Sequence, residues 1–259
     1  MNTLTKAFRI IEEIVSHQES GLLFSEVVAL TEVPKASAHR ILKTLVNMGY
    51  LRFDTITGKY RGDLKLSSLG SEVMTHFDLK DYVRPHLMEL HSETQHTCHL
   101  GVSNGNMGVY LDKLESRDYG IKLFSAVGRS FPLHCTALGK VLLAFMDKES
   151  RKAVLRRKLE SFTNNTITDA AVLERELDMI RERKCGVDRE EITRGIICVA
   201  APVFDAEGDV IAGISLSFPS YIEDERGIDS EIEAVKRCSS AILSMFRERR
   251  ESGEGGGTD

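Results

Sequence analysis

No apolar run in this 259-residue chain approaches the roughly 18 residues that a bilayer-crossing helix needs. The amino-terminal stretch MNTLTKAFRIIEEIV is amphipathic and carries acids. A signal peptide would have a basic end followed by an unbroken apolar stretch. The expectation is a cytoplasmic protein with no membrane partner. Cysteine is sparse: Cys98, Cys135, Cys185, Cys198 and Cys238 are scattered, with no C-x-x-C. An odd, unpaired set argues against a disulfide framework and fits a reducing compartment. A phosphate-cradling loop is missing too, because Ala137-Leu138-Gly139-Lys140 lacks both the upstream Gly and the following Ser/Thr. Positive charge is not in excess, with a net charge of -5. Its distribution is uneven, however. Residues 1–65 carry nine Lys/Arg against seven Asp/Glu, and the remainder 25 against 32. A DNA-binding amino-terminal part is permitted by that split but not demanded.

What is present is enough for two globular domains: 42% hydrophobic and 28% charged residues. Thr3 suits an N-cap, and Leu4, Ala7, Phe8, Ile11 and Ile14 follow at helical spacing. A break over residues 17–21 precedes a short second helix with Phe24, Val27, Val28 and Leu30 apolar. Thr31-Glu32-Val33 reads as a turn, and Pro34 suits the first turn of a third helix. That helix puts Ala38, Ile41, Leu42, Leu45 and Met48 on one face and Ala36, His39, Arg40, Lys43 and Asn47 on the other. Gly49 ends it. Residues 50–53 and 59–61 then read as strands around a 54–58 turn, forming a wing on which Arg52, Lys59 and Arg61 can meet phosphates. A charged outer face is by itself no more than a solvated face. The complete order of helix, helix, turn, polar helix and hairpin favours DNA, with the polar face entering the major groove. The DNA-contacting set is Lys35, Ser37, His39, Arg40, Lys43, Arg52 and Lys59.

Residues 67–81 have helical character and would connect the two parts. Beyond them, helices are expected over residues 85–94, 136–146 and 169–184, the last ended by Gly186, and along the face of Ile228, Ile232, Val235, Ile242, Met245 and Phe246. Strands are expected over residues 97–102 and 108–114, around a Ser103-Asn104-Gly105 turn. A second hairpin joins residues 196–204 and 210–218 around Ala206-Glu207-Gly208. The tail, residues 249–259, reads as disordered. On the second hairpin Ser215 and Ser217 share one face, Cys198 lies at roughly their level on the partner strand, and Asp188 lies just before that strand. Hydroxyls can donate to the carboxylate and carbonyl of a small keto acid. Asp188 would have to accept from a ligand hydroxyl or be protonated. The bland alternatives are a solvated sheet face for the serines and a small buried hydrophobe for Cys198.

Catalysis has weaker support. Cys135 or Cys198 with His134 lacks a third, orienting group. His96, Cys98 and His99 fall short of the four ligands a structural zinc takes. No catalytic residue, metal or cofactor is expected. A ligand-binding module with a degenerate DNA domain is a further alternative, which loss of DNA binding on removal of Arg40 and Lys43 would argue against.

The segments VPKASAHRILKTLVNMGYL and GKYRGDLKLSSLG, then PLHCTALGKVLLA, CGVDREE and GIICVAAPVFDAEGDVIAGISLSFP, together resemble the IclR family of transcriptional regulators over nearly the whole chain. The stretches HLGVSNGNMGVYLDKLES and GRSFPLHCTALGKVLLA are similar to the family's KdgR type, regulators of sugar-acid catabolism that respond to 2-keto-3-deoxygluconate. The resemblance implies an α+β chain: a winged helix-turn-helix at 1–65, a linker helix at 66–81, and a GAF-like α/β effector-binding domain at 82–248 with a largely antiparallel sheet. It also implies a repressor acting as a homodimer or dimer of dimers on a palindromic operator. The glyoxylate- and pyruvate-sensing members surround the ligand with residues matching Asp188, Cys198, Ser215 and Ser217, and with backbone near TALGK, here Ala137 and Leu138. Those sensors carry Gly-Ala where this chain has Ala137-Leu138, so a different pocket floor is expected. Effector binding would shift dimer geometry through the linker.

Overall fold

Asn2, not Thr3, opens the first helix: its side-chain oxygen accepts from the Thr5 amide at 2.8 Å, so the cap sits one residue early and α1 spans Thr3–Ser16. The computed structural model describes residues 1–75, 78–116, 123 and 125–252. It divides the chain into two units, Met1–Phe77 and Asp78–Asp259.

The first unit continues with β1 (Leu22–Leu23), α2 (Phe24–Thr31), α3 (Lys35–Asn47), β2 (Leu51–Asp54), β3 (Lys59–Gly62) and α4 (Leu64–Thr75). Ile10, Ile14, Val27, Ala38 and Leu42 are fully buried in one core, with Leu45 and Leu51 beside them. Each such aliphatic contributes on the order of 1.5–3 kcal/mol by leaving water. Thr31 belongs to α2 rather than to the turn, since its hydroxyl donates back to the Val27 carbonyl at 2.6 Å. Pro34 is the N-cap of α3, not part of its first turn; its carbonyl accepts from the Ser37 and Ala38 amides. Gly49, at φ +77°, ends α3 in the left-handed region that glycine enters at least cost. Met48 therefore caps the helix and is half exposed, off the core face on which periodicity placed it. The wing hairpin pairs Arg52 with Arg61 and Phe53 with Tyr60. A third strand, β1, pairs with β3 and was not expected, because two residues carry no periodicity. The helical stretch at 67–81 resolves into α4 and the start of the next helix, with residues 76 and 77 outside the described set.

The second unit contains α5 (Asp78–Thr94), β4 (Thr97–Asn104), β5 (Met107–Leu114), β6 (Ser130–Pro132), α6 (Ala137–Phe145), α7 (Lys148–Leu155), α8 (Ala170–Arg183), β7 (Gly186–Arg189), β8 (Ile196–Phe204), β9 (Val210–Pro219), α9 (Tyr221–Arg226) and α10 (Asp229–Glu251). One antiparallel sheet runs in the order β6-β5-β4-β9-β8-β7. Helices α5 and α10 pack against the sheet and each other, while α6 packs on β4, β8 and β9 and is backed by α8.

Several sequence expectations shift here. Pro85 lies inside α5 rather than opening it; burial of Val83, Leu87 and Leu90 outweighs the one backbone bond a proline forfeits. The α8 helix ends at Lys184, which takes φ +52°. Gly186 instead begins β7, where a Cβ would lie 2.9 Å from a Val141 methyl and 3.1 Å from the Ala137 carbonyl. Arg249, Arg250 and Glu251 are helical, not part of a disordered tail, because α10 runs on to Glu251; residues 253–259 lie outside the described set. Among the described residues no helix is long and apolar enough to cross a membrane.

The seat of α6 positions the site. Gly101 on β4 and Gly213 on β9 are direct partners. Built Cβ atoms on them would come within 2.8 and 2.7 Å of the two Leu138 methyls. The absent side chains thus make the shallow dish into which Leu138, 2% exposed, is pressed.

Candidate nucleic-acid interface and sensor cavity

Lys35, His39, Arg40 and Lys43 are exposed on α3, Ser37 is half-buried in its first turn, and Ala38, Ile41, Leu42 and Leu45 hold the opposite face in the core. The helix carries three cations and no acid. His39 leans edge-on against the Phe24 ring of α2, centroids 6.1 Å apart. On the wing, Arg52 is exposed. Lys59 Nζ donates to the Ser20 carbonyl at 2.9 Å and keeps two donors for other acceptors. Arg61 donates to the same carbonyl at 3.2 Å and lies 3.8 Å from Asp54. It therefore braces the hairpin rather than standing free for phosphate. The hairpin tip is tied by Asp54, whose carboxylate accepts from the Ile56 and Thr57 amides and the Thr57 hydroxyl. Those bonds hold its pKa below the ordinary carboxylate value.

In the second unit the sheet register brings two rows of side chains to the α6 face. One row runs Asp188, Cys198, Ser217, Thr97 and the next Gly186, Ala200, Ser215, His99. Asp188 therefore lies on a strand of its own, directly opposite Cys198, rather than before the hairpin. Cys198 Sγ and Ser217 Oγ are 3.0 Å apart. His99 Nδ1 lies 3.4 Å from Ser215 Oγ, and its Nε2 2.8 Å from Ser125 Oγ. Of these groups His99, Ser125, Cys198 and Ser217 line a cavity of about 260 Å³, with Tyr110, Arg129 and Thr136 also on its wall. The rings of Tyr110 and Phe131, tilted against each other with centroids 4.4 Å apart, also line it.

Burial dominates the electrostatics. Asp188 is fully buried; Oδ1 accepts from the Glu191 amide at 2.6 Å, and Oδ2 has no hydrogen-bond partner among the described residues. Desolvation pushes its pKa up to about 7. Lys140, 1% exposed, donates to Glu191 at 2.5 Å and to Glu176 at 3.5 Å, so its charge is answered by carboxylates next to Asp188. Burial and nearby Lys113 lower the His99 pKa to about 3, leaving a neutral ring.

Of the residues read from sequence, Cys198 and Ser217 line the cavity and Ser215 joins it through His99. Ala137 and Leu138 are buried in the first turn of α6 and offer only backbone at the helix start, while Thr136, the N-cap just before them, is on the wall. In the sequence His99 figures with His96 and Cys98 as an incomplete zinc set, and on the 97–102 strand, which could add to a pocket without any local sign of it. Its strand register, not its composition, places it here. Tyr110, Ser125 and Arg129 were not singled out, because nothing local marks them. His96 turns away to Glu231 at 3.2 Å, and among the described residues no group of three or more His, Cys, Asp or Glu is arranged to hold a metal. Burial raises the pKa of the Cys135 and Cys198 thiols, which disfavours the thiolate a nucleophile requires. His134 is spent on the Glu160 carbonyl.

Comparison with known proteins assigns both parts of the chain to one family. Residues 3–55 match the IclR helix-turn-helix domain, and residues 71–244 match the bacterial transcriptional regulator IclR C-terminal domain. The chain is 35% identical to the HTH-type transcriptional regulator KdgR of Escherichia coli (strain K12), over 95% of this chain and 93% of that one. It is also 35% identical to the regulator XynR of the same organism, over 93% and 96%. The crystal structure of the Thermotoga maritima IclR superposes with a TM-score of 0.70 at 33% identity, covering 95% of this chain and 99% of that one. These relatives are transcriptional regulators, not enzymes.

Proposed function

The chain belongs to the IclR family of bacterial DNA-binding transcriptional regulators, and from that premise we propose a repressor whose hold on a palindromic operator is set by a small organic acid, a 2-keto acid such as 2-keto-3-deoxygluconate. The observation that carries the effector class is the donor-rich patch beneath α6, with Arg129 also on the cavity wall. Ser217, the Ser215–His99–Ser125 chain and the amides at the start of α6 can all serve ligand oxygens. Asp188 lies across from Cys198, and burial raises its pKa to about 7, which eases taking up a proton or accepting from a ligand hydroxyl rather than facing a carboxylate bare. A cavity of about 260 Å³ exceeds what glyoxylate or pyruvate needs and admits a six-carbon sugar acid. Glyoxylate, pyruvate and aromatic acids are the competing ligands.

DNA contact falls to Lys35, Ser37, His39, Arg40 and Lys43 on α3, with Arg52 and Lys59 on the wing. In a homodimer or dimer of dimers, two such units span the half-sites, and the acid alters affinity by its unequal binding to two states.

Two measurements test this reading. Thermal unfolding of the purified protein with each acid should show a specific rise with a 2-keto sugar acid, abolished in Ser215→Ala/Ser217→Ala; no rise with any acid removes the sensor chemistry. Binding of in vitro selected DNA should collapse in Arg40→Ala/Lys43→Ala, with the salt slope falling by about one per lost phosphate contact. Unchanged binding would remove α3 from the interface.

A further inference from the structure

A neutral imidazole has one N–H and one lone pair, and His99 spends them on two serines. With the proton on Nε2, the ring donates to Ser125 at 2.8 Å and accepts from Ser215 at 3.4 Å. The Ser125 proton is then left over. With the proton on Nδ1, the ring donates to Ser215 and accepts from Ser125, and the Ser215 proton is left over. Neither hydroxyl has another hydrogen-bond partner among the described residues. Whichever tautomer holds, one of the two serine protons goes to the ring and the other is uncommitted. Ser125 is on the cavity wall. Ser215, on the same strand face as Ser217, reaches the cavity through His99.

His99 itself is 2% exposed and is clamped by the Tyr110 ring, centroids 4.9 Å apart, so it cannot swing away to relieve the mismatch. We propose that His99 is a specificity-determining residue of this cavity, which through Ser125 and Ser215 holds one hydroxyl as a dedicated donor and so selects a ligand with a carboxylate or ketone oxygen at that point. The selection works by a neutral hydrogen bond, not by a countercharge. The low pKa of the buried ring is consistent with that. This rests on the effector reading above and adds to it a position outside the set read from sequence.

The test uses the full-length protein with pyruvate and 2-keto-3-deoxygluconate as probes, their binding followed by calorimetry. His99→Leu and Ser125→Ala should each weaken the better probe by about tenfold or more, the size of a lost hydrogen bond to a charged acceptor. His99→Gln, whose amide can both donate and accept, should recover most of that loss. Should His99→Leu unfold too easily, Ser125→Ala carries the affinity test alone. The ring nitrogens of His99, assigned by their loss in His99→Gln, should give a neutral-tautomer NMR pattern from pH 5 to 8 and shift when the probe is added. A residue that merely packs would leave those signals unmoved. Wild-type affinity in both His99→Leu and Ser125→Ala, with binding still lost in Ser217→Ala, overturns this proposal and leaves the cavity assignment standing. Absence of binding by either probe to the wild-type protein, at any concentration that spares the fold, overturns both.

Discussion

The dish under Leu138 can be tested by filling it and emptying it in turn. In Gly213→Ala the new methyl would lie 2.7 Å from a Leu138 methyl, about 1 Å inside the contact distance for carbon atoms. Neither Gly213 nor Gly101 has a positive φ, so the added methyl brings steric overlap and no backbone strain. Overpacking of this kind costs about 1–3 kcal/mol. Leu138→Ala removes the knob instead; it is 2% exposed and should cost about 2–5 kcal/mol through lost burial and the void left behind. In the double variant the alanine at 213 moves into space that Leu138 has vacated. Its loss should fall short of the sum of the singles by about 1–2 kcal/mol, within the range of contacting pairs. For a unit of this size each kcal/mol corresponds to about 2–4 °C in Tm. Circular dichroism melts and urea titrations of the four proteins complete the cycle. Strict additivity would refute the steric account of how α6 is seated.

Asp188 predicts a pH dependence. Its folded pKa of about 7 stands above the ordinary 3.8, so the folded chain binds this proton more tightly than the unfolded one. Its stabilising contribution is therefore complete below pH 3.8 and is lost as pH rises through about 7. Asp188→Asn should flatten the fall of urea midpoints across that window, and an unchanged slope would show the carboxyl to be solvated. On the wing, Asp54→Ala removes the three bonds that tie the tip. Amide exchange at Ile56 and Thr57 should quicken on the order of fivefold, the worth of one ordinary hydrogen bond, while the α3 amides keep their protection; equal rates in the two proteins would mean that the turn holds without its cap.

Features written in local periodicity were legible. The α3 core face, the stop at Gly49, the wing and the shared face of Ser215 and Ser217 follow from spacings of 3.6 and 2, and the structure keeps them. Features that depend on partners far away in the chain were not. β1, β6 and β7 have two, three and four residues, too few to show alternation, so the strand bearing Asp188 stayed hidden. Pro85 looked like a helix start because its cost is visible in sequence while the burial that offsets it is not. His99 meets Ser125 and Ser215 from 26 and 116 positions away. Only the β4–β9 register and the path of the chain into β6 bring the three together.

The sheet's rims bear on how copies of this chain can meet. β6 and β7, the outermost strands, are three and four residues long, while β4, β8 and β9 inside them have eight, nine and ten. Pro132 withdraws one amide from an already short border. Each of these two border strands by itself therefore offers few backbone groups to a further strand. A second copy would gain few backbone hydrogen bonds by pairing with β6 or β7, so those two strands resist strand-to-strand zipping.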